Sequence, residues 1–99
     1  MSTATVTETK EKQKLKEVRM WRVVMLNDDY TPFDFVIDVL TTLYHKSFEE
    51  AEAIAMSIHE KGRGVAGVYT KEIALQKSHD TIRVAKAHGH PLKTVAEEA

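Results

Sequence analysis

Hydrophobic and polar positions follow three successive patterns along this chain, and each change of pattern marks an element boundary. Over residues 1–17, Thr, Glu and Lys predominate and only Val6 and Leu15 are sizeable apolar groups. Too little surface can be buried there to offset the entropy of ordering, which predicts a disordered N-terminal extension over 1–17 and a folded core over 18–99. From Trp21 to Leu26 the run Trp-Arg-Val-Val-Met-Leu is nearly continuous in strand formers, as in a strand central to its sheet. Asn27-Asp28-Asp29 then ends it with side chains that bond nearby backbone and favour turns.

Helical periodicity follows at once. Val36, Val39, Leu40 and Leu43 fall at i, i+3, i+4 and i+7, one apolar face of a helix. Its start is marked by Thr31 as N-cap, Pro32 at the first helical position and Asp34 where a capping box places an acid. Tyr30 and Phe35 take the positions of a hydrophobic staple. Ser47 and Glu50 form a second capping box, and Ala51, Ile54, Ala55 and Ile58 repeat the spacing, predicting a helix from Phe48 to Lys61 that stops at Gly62. Gly64–Thr70 reads as a short strand in which Ala66 and Gly67 permit close approach. Thr70 can cap a third helix, Lys71 to His88, with a weaker face of Ile73, Ala74, Ile82 and Ala85 and a stop at Gly89. Leu92–Ala96 completes the series as a last strand. The order strand, helix, helix, strand, helix, strand is met most simply by an α+β fold: a three-stranded antiparallel sheet with helices on one face.

Composition narrows the classes of function. Ninety-nine residues, 42% hydrophobic and 29% charged, describe one small soluble domain. A formal net charge of -1 provides no basic field for nucleic acid or an anionic membrane, so neither is an expected partner. With no cysteine, disulfides, thiol catalysis and zinc–thiolate sites are excluded. No signal-peptide core is visible and no apolar run approaches the ~18 residues of a membrane span, so a cytoplasmic location is expected.

Chemistry-bearing residues are few. Of the five histidines, His45 and His79 occupy surface positions, and His88-x-His90 fits solvated imidazoles at a helix end better than a metal pair without a third ligand. His59 lies four residues beyond Ala55, at the edge of the second helix's apolar face. It meets Asn27 and Asp28 if that helix packs beside the end of the first strand. Asn27-Asp28-Asp29 itself fits two roles: turn chemistry, or a set of acceptors for a cationic, hydrogen-bond-donating ligand. Asp28, Asp29 and His59 also suit acid–base chemistry, but no nucleophile in context, phosphate loop or metal-ligand spacing accompanies them, and no cofactor is expected.

Asn27-Asp28-Asp29-Tyr30-Thr31-Pro32 followed by Phe35-Val36-Ile37-Asp38-Val39-Leu40 resembles the signature of the ClpS family, small adaptors that deliver N-degron substrates to the Clp ATP-dependent protease. The likeness continues through Ile58-His59, Gly67-Val68-Tyr69-Thr70, Glu72, Lys77 and His90-Pro91-Leu92, spanning Trp21 to Val95. The resemblance implies a β-α-α-β-α-β sandwich with a mobile N-terminal extension, and an adaptor without enzymatic activity. It implies that Asn27, Asp28 and His59 hold the free α-amino group of a substrate. It further implies that Met25, Asp29, Thr31, Phe33, Val36, Ala55, Ile58 and Leu92 line a pocket for a bulky first side chain (Leu, Phe, Tyr or Trp). Glu72 and Lys77 match positions that dock on the N-terminal domain of a Clp AAA+ unfoldase of the ClpA or ClpC type, which is also implied to engage the extension during handover. Two positions depart from the family's bacterial pattern, which often has methionine where this chain has Phe33 and Ala55. Two other readings use the same elements: an interaction module of the ribosomal-stalk type, and a small acid–base enzyme using Asp28, Asp29 and His59.

Overall fold

The computed structural model describes residues 18–99; the expectation of disorder over 1–17 lies outside them. The first strand, β1 (Met20–Leu26), is central, as its continuous apolarity predicts, and pairs antiparallel with β2 (Arg63–Thr70) on one side and β3 (Lys93–Glu98) on the other. Three helices complete the chain: α1 (Phe33–Thr42), α2 (Phe48–Lys61) and α3 (Lys71–Ala87). The α+β architecture and the order of elements are those expected from the periodicities. Among the described residues, no helix is long and apolar enough to cross a membrane.

One sheet face and the helices enclose the core. Val23 and Met25 of β1 pack with Val36, Ile37, Val39 and Leu40 of α1, and with Ala51, Ala55 and Ile58 of α2. A register shift between Val23 and Val24 leaves Ala66 without a partner in β1, so Ala66 and Gly67 are both buried. On the opposite sheet face Val24 lies in register between Val65 and Val95.

A helix comes close to the sheet at Gly64. A Cβ there would stand 2.7 Å from Ile58 Cγ1 and 3.2 Å from the Ile54 carbonyl, so only glycine lets α2 lie this near β2. The other small residues play different parts: Gly67 accommodates the ring of Tyr69, and Ala66 fills the core.

Boundaries that rest on a local signal are observed where expected. Ser47 Oγ accepts from the Glu50 amide and the Glu50 carboxylate accepts from the Ser47 amide, both at 3.1 Å, and Gly62 ends α2 at φ 86°. At α1 the expected start is displaced by one residue. Pro32, not Thr31, is the N-cap and no side chain caps the helix, because Asp28 has captured Thr31 through both its amide and its hydroxyl. Asp34 therefore forms no capping box. Tyr30 forms no staple, since it is 81% exposed. Thr70 is the N-cap of α3, but its hydroxyl caps nothing.

The buried face of α3 also differs from expectation. Ala74, Ser78, Thr81 and Ala85 are buried, whereas Ile73 is exposed. Hydroxyls are tolerated inside because each has a partner. Ser78 Oγ and Thr94 Oγ1 are 2.6 Å apart, as are Tyr44 Oη and Thr81 Oγ1. Lys77 is half-buried: Nζ donates to the Leu43 carbonyl at 2.5 Å and lies over the rings of Tyr44 and Tyr69. It thereby joins α3 to the C-terminal end of α1, where a cation is favoured.

Candidate functional site

The end of β1 and the end of α2 are tied together by backbone. The Asn27 amide donates to the Gly62 carbonyl at 2.9 Å, and His59 stands one turn before that glycine. With α2 drawn against β2 at Gly64, His59 and Ile58 face the turn that follows β1. A cavity of about 310 Å³ opens between them, lined by Asn27, Asp28, Asp29, Thr31, Phe33, Val36, Ala55, Ile58 and His59. Of the residues named from the sequence, all but Met25 and Leu92 among the amine-binding and pocket sets surround this one space. Met25 is fully buried in the core and Leu92 is 3% exposed. Met25 points inward from a central strand, and neither side chain lines the cavity.

The cavity is divided chemically. Asn27, Asp28, Asp29 and His59 supply a polar rim, and Phe33, Val36, Ala55 and Ile58 supply an apolar wall. Phe33 is 39% exposed, at the first position of α1, while Ala55 and Ile58 are nearly inaccessible. The arrangement therefore has a solvent-facing aromatic edge at Phe33 and a buried floor provided by α2.

Asp28 is the most constrained member of the rim. Its Oδ1 accepts from the Tyr30 amide at 2.8 Å and from the Thr31 amide at 2.7 Å, and its Oδ2 accepts from Thr31 Oγ1 at 2.8 Å. Burial acts most strongly on this group and pushes its pKa up. The bonds from the Thr31 amide, the Thr31 hydroxyl and the Tyr30 amide, together with His90, outweigh that effect, so the carboxyl is held below its ordinary value. Asp28 is therefore ionised at neutral pH. A carboxylate offers about four lone-pair sites, so three internal bonds leave one for a ligand. The rim can hold a cationic donor of several N–H bonds, and the wall an apolar group attached close to it.

His90 packs against α1 rather than standing free at the helix end. Its ring stands edge-on to Phe35 with centroids 4.5 Å apart, and His88 lies 5.4 Å from the same ring. His88 Nδ1 is also 2.9 Å from the Val84 carbonyl. Thus the two histidines that suggested a metal pair are occupied with Phe35 and a helix end. Among the described residues, no group of three or more potential ligands could hold a metal ion. Glu72 is exposed in the first turn of α3, far along the chain from the rim and absent from the cavity lining.

Comparison with known proteins gives a consistent result. The family model described as ATP-dependent Clp protease adaptor protein ClpS matches residues 16–95. The ATP-dependent Clp protease adapter protein ClpS of Deinococcus radiodurans is 48% identical over 91 residues, covering 92% of this chain and 80% of that protein. Its namesake from Burkholderia thailandensis is 47% identical over 96 residues, covering 97% and 91%. Among solved structures, Agrobacterium tumefaciens ClpS2 bound to L-phenylalaninamide superposes with a TM-score of 0.81 at 31% identity, covering 84% of this chain and 100% of the other.

Proposed function

The chain belongs to the ClpS family of ATP-dependent Clp protease adaptors, and from that premise we propose that it recognises the free α-amino group and bulky first residue of N-degron proteins. It then delivers them to a Clp AAA+ unfoldase–protease. Asn27, Asp28 and His59 hold the amine, and Phe33, Val36, Ala55 and Ile58, with Asp29 and Thr31 at the edge, receive a Leu, Phe, Tyr or Trp side chain. The observation that carries this reading is a single cavity with an ionised, three-quarters-satisfied carboxylate on its rim and an apolar wall beside it.

The chemistry supports the division of labour. An α-amine has a pKa of about 7.7–8.0 and is mostly cationic at neutral pH. A carboxylate, an amide oxygen and an imidazole nitrogen satisfy its three donors. An internal residue offers one uncharged amide N–H and leaves the rim unmet. Burying ~150–250 Å² of an aromatic side chain at ~25 cal/mol per Å² contributes about 4–6 kcal/mol before the costs of association. The L-phenylalaninamide bound to the Agrobacterium protein joins the same two features, a free amine and an aromatic side chain, in one small molecule.

No step in this function makes or breaks a bond on the adaptor, so it is not an enzyme and uses no cofactor. Docking on the unfoldase's N-terminal domain, of the ClpA or ClpC type, falls to the α3 face that carries Glu72. Lys77 contributes by anchoring that helix to α1 through the Leu43 carbonyl. The N-terminal extension takes part in handover, in the cytoplasm where the protease acts. The test is a degradation assay with a purified Clp unfoldase–peptidase and a reporter starting with Phe. Addition of this protein accelerates loss of that reporter and not of one starting with Ser. Equal rates with and without the adaptor would contradict the proposal.

A further inference from the structure

We infer that the Thr31 hydroxyl is a positioning donor for the amine cage, aiming the free lone pair of Asp28 at the bound ammonium, and that its methyl group is not the important contribution to the pocket. The inference rests on the function proposed above and adds a residue to the cage that the resemblance placed in the side-chain wall.

The geometry separates two parts of Thr31. Its Oγ1 lies 2.8 Å from Asp28 Oδ2, while its amide, with that of Tyr30, binds Oδ1. The backbone thus saturates Oδ1 whatever side chain stands at position 31. Oδ2 is the oxygen left to meet a ligand, and only the hydroxyl holds it. With both oxygens fixed, the carboxylate does not turn about its Cβ–Cγ bond to pair with solvent, and its remaining acceptor direction is preset. Such preorganisation improves affinity by reducing what must be ordered on binding. The hydroxyl has no competing task, because Pro32 occupies the N-cap of α1 without a side-chain bond.

Titratable neighbours of Asp28 come from the turn, from α2, from the segment after α3 and from β3. Asp29 follows it in the turn, His59 faces the same cavity from α2, and His90 approaches from the segment between α3 and β3. Lys93 of β3 lines a second hollow, of about 380 Å³, behind the same turn. None of these changes when Thr31 is replaced, so a shift in the acid limb of binding on substitution there reports the hydroxyl.

The experiment compares wild type, T31V, T31S and T31A by fluorescence anisotropy with a Phe-starting peptide, free and N-acetylated, across pH. T31V keeps branching and volume but removes the donor; T31S keeps the donor and removes the methyl. Loss of one hydrogen bond to a charged group predicts roughly tenfold weaker binding by T31V, recovered to within about threefold by T31S. The acid limb moves to higher pH in T31V and stays in place in T31S. Wild-type affinity in T31V with a loss in T31S would overturn the inference and assign the role to the methyl group. If T31V does not fold, T31A decides the same point: it must fall well below T31S, and equal affinities overturn the inference. Failure of the wild type to distinguish free from acetylated peptide refutes the functional reading instead. In that event a carbon-detected NMR titration of Asp28 in the free protein still judges the tie, which is overturned if replacing the hydroxyl leaves the Asp28 titration unmoved.

Discussion

Replacing Asp28 by asparagine removes a charge while sparing the turn. The side-chain oxygen of the asparagine still accepts from the Tyr30 and Thr31 amides, and the Thr31 hydroxyl can rotate to accept from the new NH₂ in place of Oδ2. What disappears is the acceptor for the ammonium, now occupied by a group that itself donates. A hydrogen bond to a charged partner is worth about 1.5–3 kcal/mol, so Asp28→Asn should weaken binding of a Phe-starting peptide roughly 10- to 150-fold. Asp28→Ala should do the same and also lower the melting temperature, because two backbone donors lose their acceptor. Anisotropy titration gives the affinity, and urea denaturation of each variant separates binding from folding. The pH dependence follows from the lowered pKa of Asp28. Its ionised form is favoured in the folded state, so its contribution is present above the ordinary carboxylate value and is lost as pH falls through the folded value. The gap between wild type and Asp28→Asn should therefore stay constant down through the ordinary carboxylate range and close only below it. Above pH ~8 binding of both should fall as the peptide amine loses its proton. Wild-type affinity in Asp28→Asn at neutral pH, with the fold intact, would refute the assignment of this carboxylate to the amine.

Other perturbations test the frame and the specificity. Gly64→Ala places a Cβ 2.7 Å from Ile58 Cγ1, so overpacking should cost about 1–3 kcal/mol in denaturation and weaken peptide binding as α2 is displaced; unchanged binding would show that the α2–β2 spacing does not set the cavity. Lys77→Met breaks the tie to the Leu43 carbonyl and should lower stability by roughly 1 kcal/mol, read from chemical denaturation, with peptide affinity unaltered. Phe33 gives a larger and stiffer edge and Ala55 a smaller wall than the family's usual methionines. Peptides starting with Val or Ile should thus remain excluded while the ranking among Leu, Phe, Tyr and Trp shifts; tight binding of an N-terminal Val in competition titrations would contradict this.

Much of this organisation was legible because its causes are local. The capping box of Ser47 and Glu50 and the left-handed Gly62 bound α2 at both ends, and each signal lies within a few residues of the boundary it sets. At α1 the same logic misplaced the start by one residue. Asp28, three positions earlier, competes for Thr31, and an acidic side chain that bonds a following turn is hard to distinguish in sequence from a threonine that caps a helix. On α3, apolar spacing pointed to Ile73, whereas the buried face runs through Ser78 and Thr81. Thr81 Oγ1 donates to the Lys77 carbonyl within the helix, but the side-chain partners Thr94 and Tyr44 lie 16 and 37 residues away, beyond the reach of a local pattern. The cavity lining was visible through the motif, and the exceptions have one cause. Met25 and Leu92 are both buried away from the cavity, Met25 on the inward face of β1 and Leu92 just before β3. His90 reads in sequence as a solvated histidine at a helix end, and its proximity to Asp28 and Phe35 is created only by the return of the chain after α3.

The central claim is that the rim reads a free amine and the wall reads the side chain attached to it. It is tested most directly by titrating the full chain with one Phe-starting peptide in two forms, free and N-acetylated. Acetylation leaves the aromatic ring unchanged while removing the charge and two N–H donors, so the claim predicts tight binding of the free form and loss of nearly all affinity for the acetylated one. Equal affinity for the two, or no binding of either, would contradict it.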